Sequence, residues 1–165
     1  MKKIIVFLFV IGGAWFLFQQ TEKQRQSSLN PEVISSPVYV ETRITQDIQG
    51  RSIEMAFFGK AVDERDCMQR SKNMLENLQK SDSAGRWVLK SSECKSELSP
   101  RYAKLFDNEP TFVTYISIAR GNRYEREGRL IFWGVSVEES DMICDLAPKL
   151  RSDFQGVMTC IRAIR

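Results

Sequence analysis

Ten residues of this chain are written twice. Phe57-Phe58-Gly59-Lys60-Ala61-Val62-Asp63-Glu64-Arg65-Asp66 returns from Phe132 to Asp141 as Phe-Trp-Gly-Val-Ser-Val-Glu-Glu-Ser-Asp, with five positions identical and three exchanged like for like. A cysteine follows each copy, Cys67 and Cys144. Physically, each copy reads as an aromatic, β-prone run that ends a strand, followed by an acidic cluster that opens a helix. A unit of about sixty residues is only marginally stable alone, so two copies are expected to share one core.

The flanking sequence extends the repeat. In the first unit, Val38 to Ile44 alternates, with Tyr39, Glu41 and Arg43 on one face and Val38, Val40, Thr42 and Ile44 on the other. Gln49-Gly50 signals a turn, and Ile53 to Val62 reads as a second strand with Ile53, Met55, Phe57 and Ala61 on one face. A helix follows from about Asp63 to Lys80, with Cys67, Met68, Ser71, Met74, Leu75 and Leu78 as its apolar stripe, and then a strand from Trp87 to Cys94. Ser99-Pro100 starts a short helical connector through Phe106. Pro110 opens the second unit as Pro37 opens the first. Thr111 to Ala119 reads as a strand with Phe112, Thr114, Ile116 and Ile118 on one face. Gly121 to Gly128 reads as a charged hairpin loop, and Leu130 to Val137 as the next strand. A shorter helix from Glu138 must end or kink at Pro148, and Gly156 to Ile164 closes the chain as a strand.

The expected class is therefore α+β. Tandem ββαβ repeats, 37–97 and 110–165, form one antiparallel sheet with two helices on one face, a ferredoxin-like variant preceded by one N-terminal transmembrane helix.

Geometry selects one pairing among the four cysteines. From Cys67 the helix descends about 22 Å at 1.5 Å per residue, and the strand to Cys94 climbs back about 26 Å at 3.3 Å per residue. In the second unit the legs from Cys144 and to Cys160 are about 12 Å and 13 Å. Helix and strand shorten together, as bridges Cys67–Cys94 and Cys144–Cys160 require. Two such bridges imply an oxidising compartment.

Lys2-Lys3 precedes fifteen apolar or glycine residues, Ile4 to Phe18, and no charge occurs until Glu22. Eighteen uncharged residues give about 27 Å of helix, enough for a thin bilayer. A signal peptide cut after Gly12-Gly13-Ala14 is the competing reading, but the apolar run continues past that point through Trp15-Phe16-Leu17-Phe18. Residues 1–21 are read as an uncleaved signal anchor, 22–36 as a polar tether and 37–165 as the folded domain. With oxidised cysteines and no Asn-x-Ser/Thr sequon, the domain is placed in a bacterial periplasm, on the inner membrane.

Composition then removes function classes. The 24 basic residues include Lys2 and Lys3, so the body nearly balances its 21 acidic ones and has no electrostatic footprint for nucleic acid. The chain has no histidine, which removes the commonest general base and most zinc sites. The clusters Asp63-Glu64-Asp66 and Glu138-Glu139-Asp141 lie where helix starts need capping charge, and are read as caps. Asp66 and Asp141, equivalent in the repeat, are the one pair kept as a catalytic candidate. No enzyme activity, cofactor or metal is expected.

A three-residue stub, one anchor and a small disulfide-bonded domain is similar in layout to several kinds of envelope protein. These are companions of membrane-bound transcription activators, accessory subunits of pilus or secretion assemblies, and immunity proteins. The expected function is to bind and stabilise or regulate a partner membrane or periplasmic protein, with a toxin inhibitor or a small-ligand sensor as alternatives. The first strand, Val38 to Ile44, is expected to be a free sheet edge, so Val38, Tyr39 and Val40 are candidate partner contacts. Arg120, Arg123, Tyr124 and Arg126 of the charged hairpin are the others.

Overall fold

The computed structural model describes residues 33–48, 50–81, 87–121, 125–149 and 157–164. The proposed anchor, and the tether up to residue 32, lie outside the described residues. Among the described residues no helix is long and apolar enough to cross a membrane.

The order of elements is β1 (Val38–Ile48), β2 (Arg51–Ala61), α1 (Glu64–Ser81), β3 (Trp87–Lys95), α2 (Pro100–Ala103) running into a 3₁₀ turn (Lys104–Asp107), β4 (Tyr115–Gly121), β5 (Glu125–Trp133), α3 (Val137–Leu146) and β6 (Val157–Ile161). The fold is α+β, with one six-stranded antiparallel sheet in the order β3-β1-β2-β5-β4-β6.

The aromatic stretches sit at the centre of this sheet, as β2 and β5. Both faces of the centre are covered, which is why Met55 to Phe58 and Leu130 to Trp133 read as continuous apolar runs rather than alternating ones. On one face Ile53, Met55, Leu130, Phe132, Ile116 and Ile118 share a core with Cys67, Met74 and Leu78 of α1 and Ile143 of α3. On the other, Ala56, Phe58, Ile131 and Tyr115 pack against Leu105, Tyr102 and Phe106 of the connector. The β2–β5 ladder sets Ala56 opposite Ile131, the residues that immediately precede Phe57 and Phe132.

Four expectations are corrected. β1 is not an edge: it lies between β2 and β3, because β2–α1–β3 returns the chain antiparallel to β1 on its free side. Residues 111–114 are not strand. The Thr111 hydroxyl donates to Val113 O at 3.0 Å and accepts from its N–H, a local turn that replaces ladder pairing and turns Phe112 out to 89% exposure. The hairpin expected over Gly121 to Gly128 is largely ladder, since β5 begins at Glu125 and Arg120 pairs with Arg126. Finally, β5 stops at Trp133 instead of Val137, because Gly134 adopts φ +81°.

The repeated glycine therefore does two jobs. Gly134 ends its strand in a conformation that suits glycine, whereas Gly59 continues β2 and lies beneath the Phe57 ring, where a Cβ would come within 2.9 Å of Cε1. Gly128, opposite Gly59 in the ladder, is blocked by the same ring.

Candidate functional site

The two ends of the sheet are β3 and β6, and a disulfide reaches each. Cys67 in the first turn of α1 joins Cys94 of β3, with Cα atoms 6.0 Å apart. Cys144 of α3 joins Cys160 of β6, with Cα atoms 5.1 Å apart. The pairing matches the one drawn from helix and strand lengths.

β3 is the longer edge, nine residues against five. Its register on β1 runs from Tyr39↔Lys95 to Arg43↔Ser91, then slips so that Ile44 faces Leu89. The slip leaves Lys90 as an extra residue, a β-bulge in the pairing of β3 with β1. Polar bonds fix the strand on its helix side: Ser92 Oγ lies 2.8 Å from Thr42 Oγ1 and 2.7 Å from Ser71 Oγ of α1.

Alongside this edge runs a groove of about 400 Å³ between α1 and β3, lined by Glu64, Met68, Lys72, Leu75, Ser92 and Cys94 among others. Met68, expected in the buried stripe of the helix, is instead 55% exposed on this groove. Its position flanks the stripe that Cys67, Met74 and Leu78 bury.

The opposite face of the sheet carries a closed ionic network. Glu41, 7% exposed, accepts from Lys95 Nζ at 2.8 Å and Arg43 Nε at 2.9 Å. Arg43 also donates to Glu54 at 3.3 Å and to the Tyr102 hydroxyl at 2.8 Å, and lies over the Tyr102 and Trp133 rings. Burial alone raises the Glu41 carboxyl, but Lys95 and Arg43 more than offset it and hold it below its ordinary value. For Arg43, desolvation is outweighed by Tyr102 and Glu41, and the guanidinium is held more firmly protonated than usual. These pairings satisfy the charges internally and leave a structural role.

A second cleft, about 270 Å³, lies around Phe112, Trp133, Gly134, Val137, Asp141 and Arg162. It has an exposed aromatic, but its charged wall is occupied by the Asp141–Arg162 ion pair.

The residues expected to meet a partner fall in different places. Val40 is buried, and Val38 and Tyr39 are partly buried on an interior strand. Arg120 and Arg126 are partners at the end of the β4–β5 ladder. Arg123 and Tyr124 lie outside the described residues. The acidic clusters are engaged at helix starts. Asp63 Oδ1 accepts from Asp66 N–H at 2.7 Å, and Asp66 Oδ2 from Val62 N–H at 3.0 Å. In the second copy Ser136 and Glu139 form a reciprocal capping box. Asp66 bonds Arg70 on its own helix and Asp141 bonds Arg162 beyond β6, so the two aspartates kept as a catalytic pair serve separate partners. Among the described residues no group of three or more potential metal ligands occurs.

No protein-family model, no curated protein and no solved structure matches this chain.

Proposed function

We propose that this chain is a membrane-anchored periplasmic protein-binding domain that stabilises or regulates a partner in the bacterial envelope. The partner adds a strand to the β3 edge. The observation that carries this reading is the β3 edge itself: a nine-residue outer strand, tied to α1 by a disulfide, with a groove holding the exposed Met68 beside it. Main-chain hydrogen bonds along an edge supply affinity, and a flanking groove selects the incoming side chain. The bridge keeps the edge ordered before the partner arrives, which lowers the entropic cost of binding.

Localisation is part of the proposal. The two disulfides support an oxidising compartment, and the uncharged stretch from Ile4 to Thr21 supports an uncleaved anchor. A mature N-terminus at Trp15 or later, read by mass spectrometry, sinks the anchor. The same reading takes the domain as two ββαβ units of a ferredoxin-like variant, related by a pseudo-twofold at the Ala56–Ile131 pair. Binding rather than catalysis is proposed because histidine is missing, the cysteines are oxidised and the acidic clusters cap helices.

Photo-crosslinking residues placed in living cells at Leu89 and Glu93 of β3, and at Val157 and Thr159 of β6, test it. The expected result is one protein captured from β3, whose abundance falls when this chain is deleted. Capture from β6 alone, or of no protein, overturns the β3 assignment. A deletion that is harmful only in the presence of a toxin moves the protein into the immunity class.

A further inference from the structure

Resting on the strand addition proposed above, we infer that the partner's segment carries a basic residue two positions from a large apolar one, selected by Glu64 and Met68 of α1. The groove beside the β3 edge has α1 and β3 as its described walls. Helix and strand run in opposite directions along it, since Cys67 is bridged to Cys94 and Ser71 Oγ lies 2.7 Å from Ser92 Oγ. Four helix residues rise about 6 Å and two strand residues about 6.6 Å, so the two walls stay in step. Glu64, Met68 and Leu75 recur at the spacing of one helix face, and all three line the groove.

A strand paired to β3 turns every second side chain to the helix side of the sheet, in step with Cys94 and Ser92. The side chain level with Cys94 meets Met68, the neighbour of Cys67 in the helix. Met68 is 55% exposed, and its unbranched, polarizable chain repacks around apolar groups of varied shape. The side chain two residues further on, beyond the Lys95 end of β3, meets Glu64 one helical turn earlier.

Charge separates the two positions. Of the charged groove residues, Lys72 and Glu76 pair with each other at 3.9 Å, whereas exposed Glu64 has no ion pair among the described residues. On the other face of β3, Lys95 is satisfied by Glu41 and Glu93. The positive end of the helix dipole opposes a cation near Glu64, but Asp63 accepts a first-turn N–H there and adds a further carboxylate. Apolar burial on Met68 therefore supplies affinity, and Glu64 fixes the register by favouring a cation at one end of the segment.

The test selects from a phage-displayed library of random nonapeptides with the full-length chain in detergent micelles. The expected consensus is a lysine or arginine two positions before or after a leucine, isoleucine, methionine or phenylalanine. Glu64→Lys is expected to select an acidic residue at the basic position. It should weaken a peptide chosen by the native chain about fivefold, with binding regained when that peptide's own cation is exchanged for glutamate. Met68→Ser is expected to erase the apolar preference and keep the basic one. Both residues are exposed, so neither substitution threatens the fold. A consensus without this spacing, an unchanged consensus from Glu64→Lys, or no enriched peptide overturns the inference. In-cell crosslinking separates its failure from that of the edge reading. A protein captured from Leu89 and Glu93 whose crosslinked segment lacks the basic and apolar pair sinks the selection alone, and capture from neither residue sinks strand addition at β3 as well.

Discussion

Arg129 Nε donates to the Leu105 carbonyl at 2.7 Å, from a side chain only 1% exposed. The same guanidinium donates to Phe106 O at 3.0 Å, Gly128 O at 2.9 Å and Glu127 Oε2 at 2.6 Å, and lies over the Phe106 ring. It thus satisfies carbonyls at the end of the connector and pins the connector over the second face of the sheet. Tyr115 adds a bond from its hydroxyl to Glu109 O at 2.9 Å.

Arg129→Met is expected to lower stability by about 3–5 kcal/mol, because Glu127 and two connector carbonyls lose their buried partner. Arg129→Lys should recover part of the loss but not all, since one ammonium cannot reproduce the planar fork. Urea denaturation of the protein checks both. A loss below about 1 kcal/mol for the methionine variant would contradict the role of the guanidinium.

Opening either bridge should destabilise the domain, the first slightly more. Cys67→Ser is expected to cost about 2–5 kcal/mol. Cys144→Ser should cost about 0.5 kcal/mol less, because its bridge spans 16 residues of sequence rather than 27. Thermal or urea unfolding of the two variants gives the comparison.

Gly134→Ala is expected to cost about 2 kcal/mol or more, since φ is +81° and the added Cβ would lie 2.7 Å from Ser52 O. Gly59→Ala tests the other job of the repeated glycine. Its penalty comes from the Phe57 ring and should shrink when Phe57 is shortened to Leu, whereas the Gly134 penalty should not. A double-mutant cycle measures the difference.

Stability should fall in acid partly through Glu41. Its folded pKa is depressed below 4.5, so its contribution is present above 4.5 and is lost as pH falls through the folded value. Lys95 has the opposite sign. Its hydrogen bond to Glu41 raises its pKa above 10.5, so its contribution is present below 10.5 and lost as pH climbs through the folded value. Glu41→Gln should be less stable at neutral pH and show a flatter urea midpoint between about pH 5 and pH 3. An unchanged acid slope in that variant would show that other carboxylates carry it.

The chain by itself determined the order of most helices and strands, the alternation of β1 and the pairing of the cysteines. Val40 and Ile44 against Glu41 and Arg43, or the matched shortening of helix and strand around Cys144 and Cys160, are relations within one or two neighbouring elements, and periodicity and rise per residue report them directly. Which strand neighbours which is a different kind of fact. Alternation in β1 says that one face is buried, but not that β3 occupies its free side, so a strand that reads as an edge became interior. The continuous apolar run of β2 likewise hid its cause, a second cover formed by Tyr102, Leu105 and Phe106 and fastened by a buried arginine. Two identical glycines diverged because one meets a ring and the other a turn. Met68 and Phe112 look like core residues along the chain, but Met68 flanks the buried stripe of its helix and the turn made by Thr111 carries Phe112 outward.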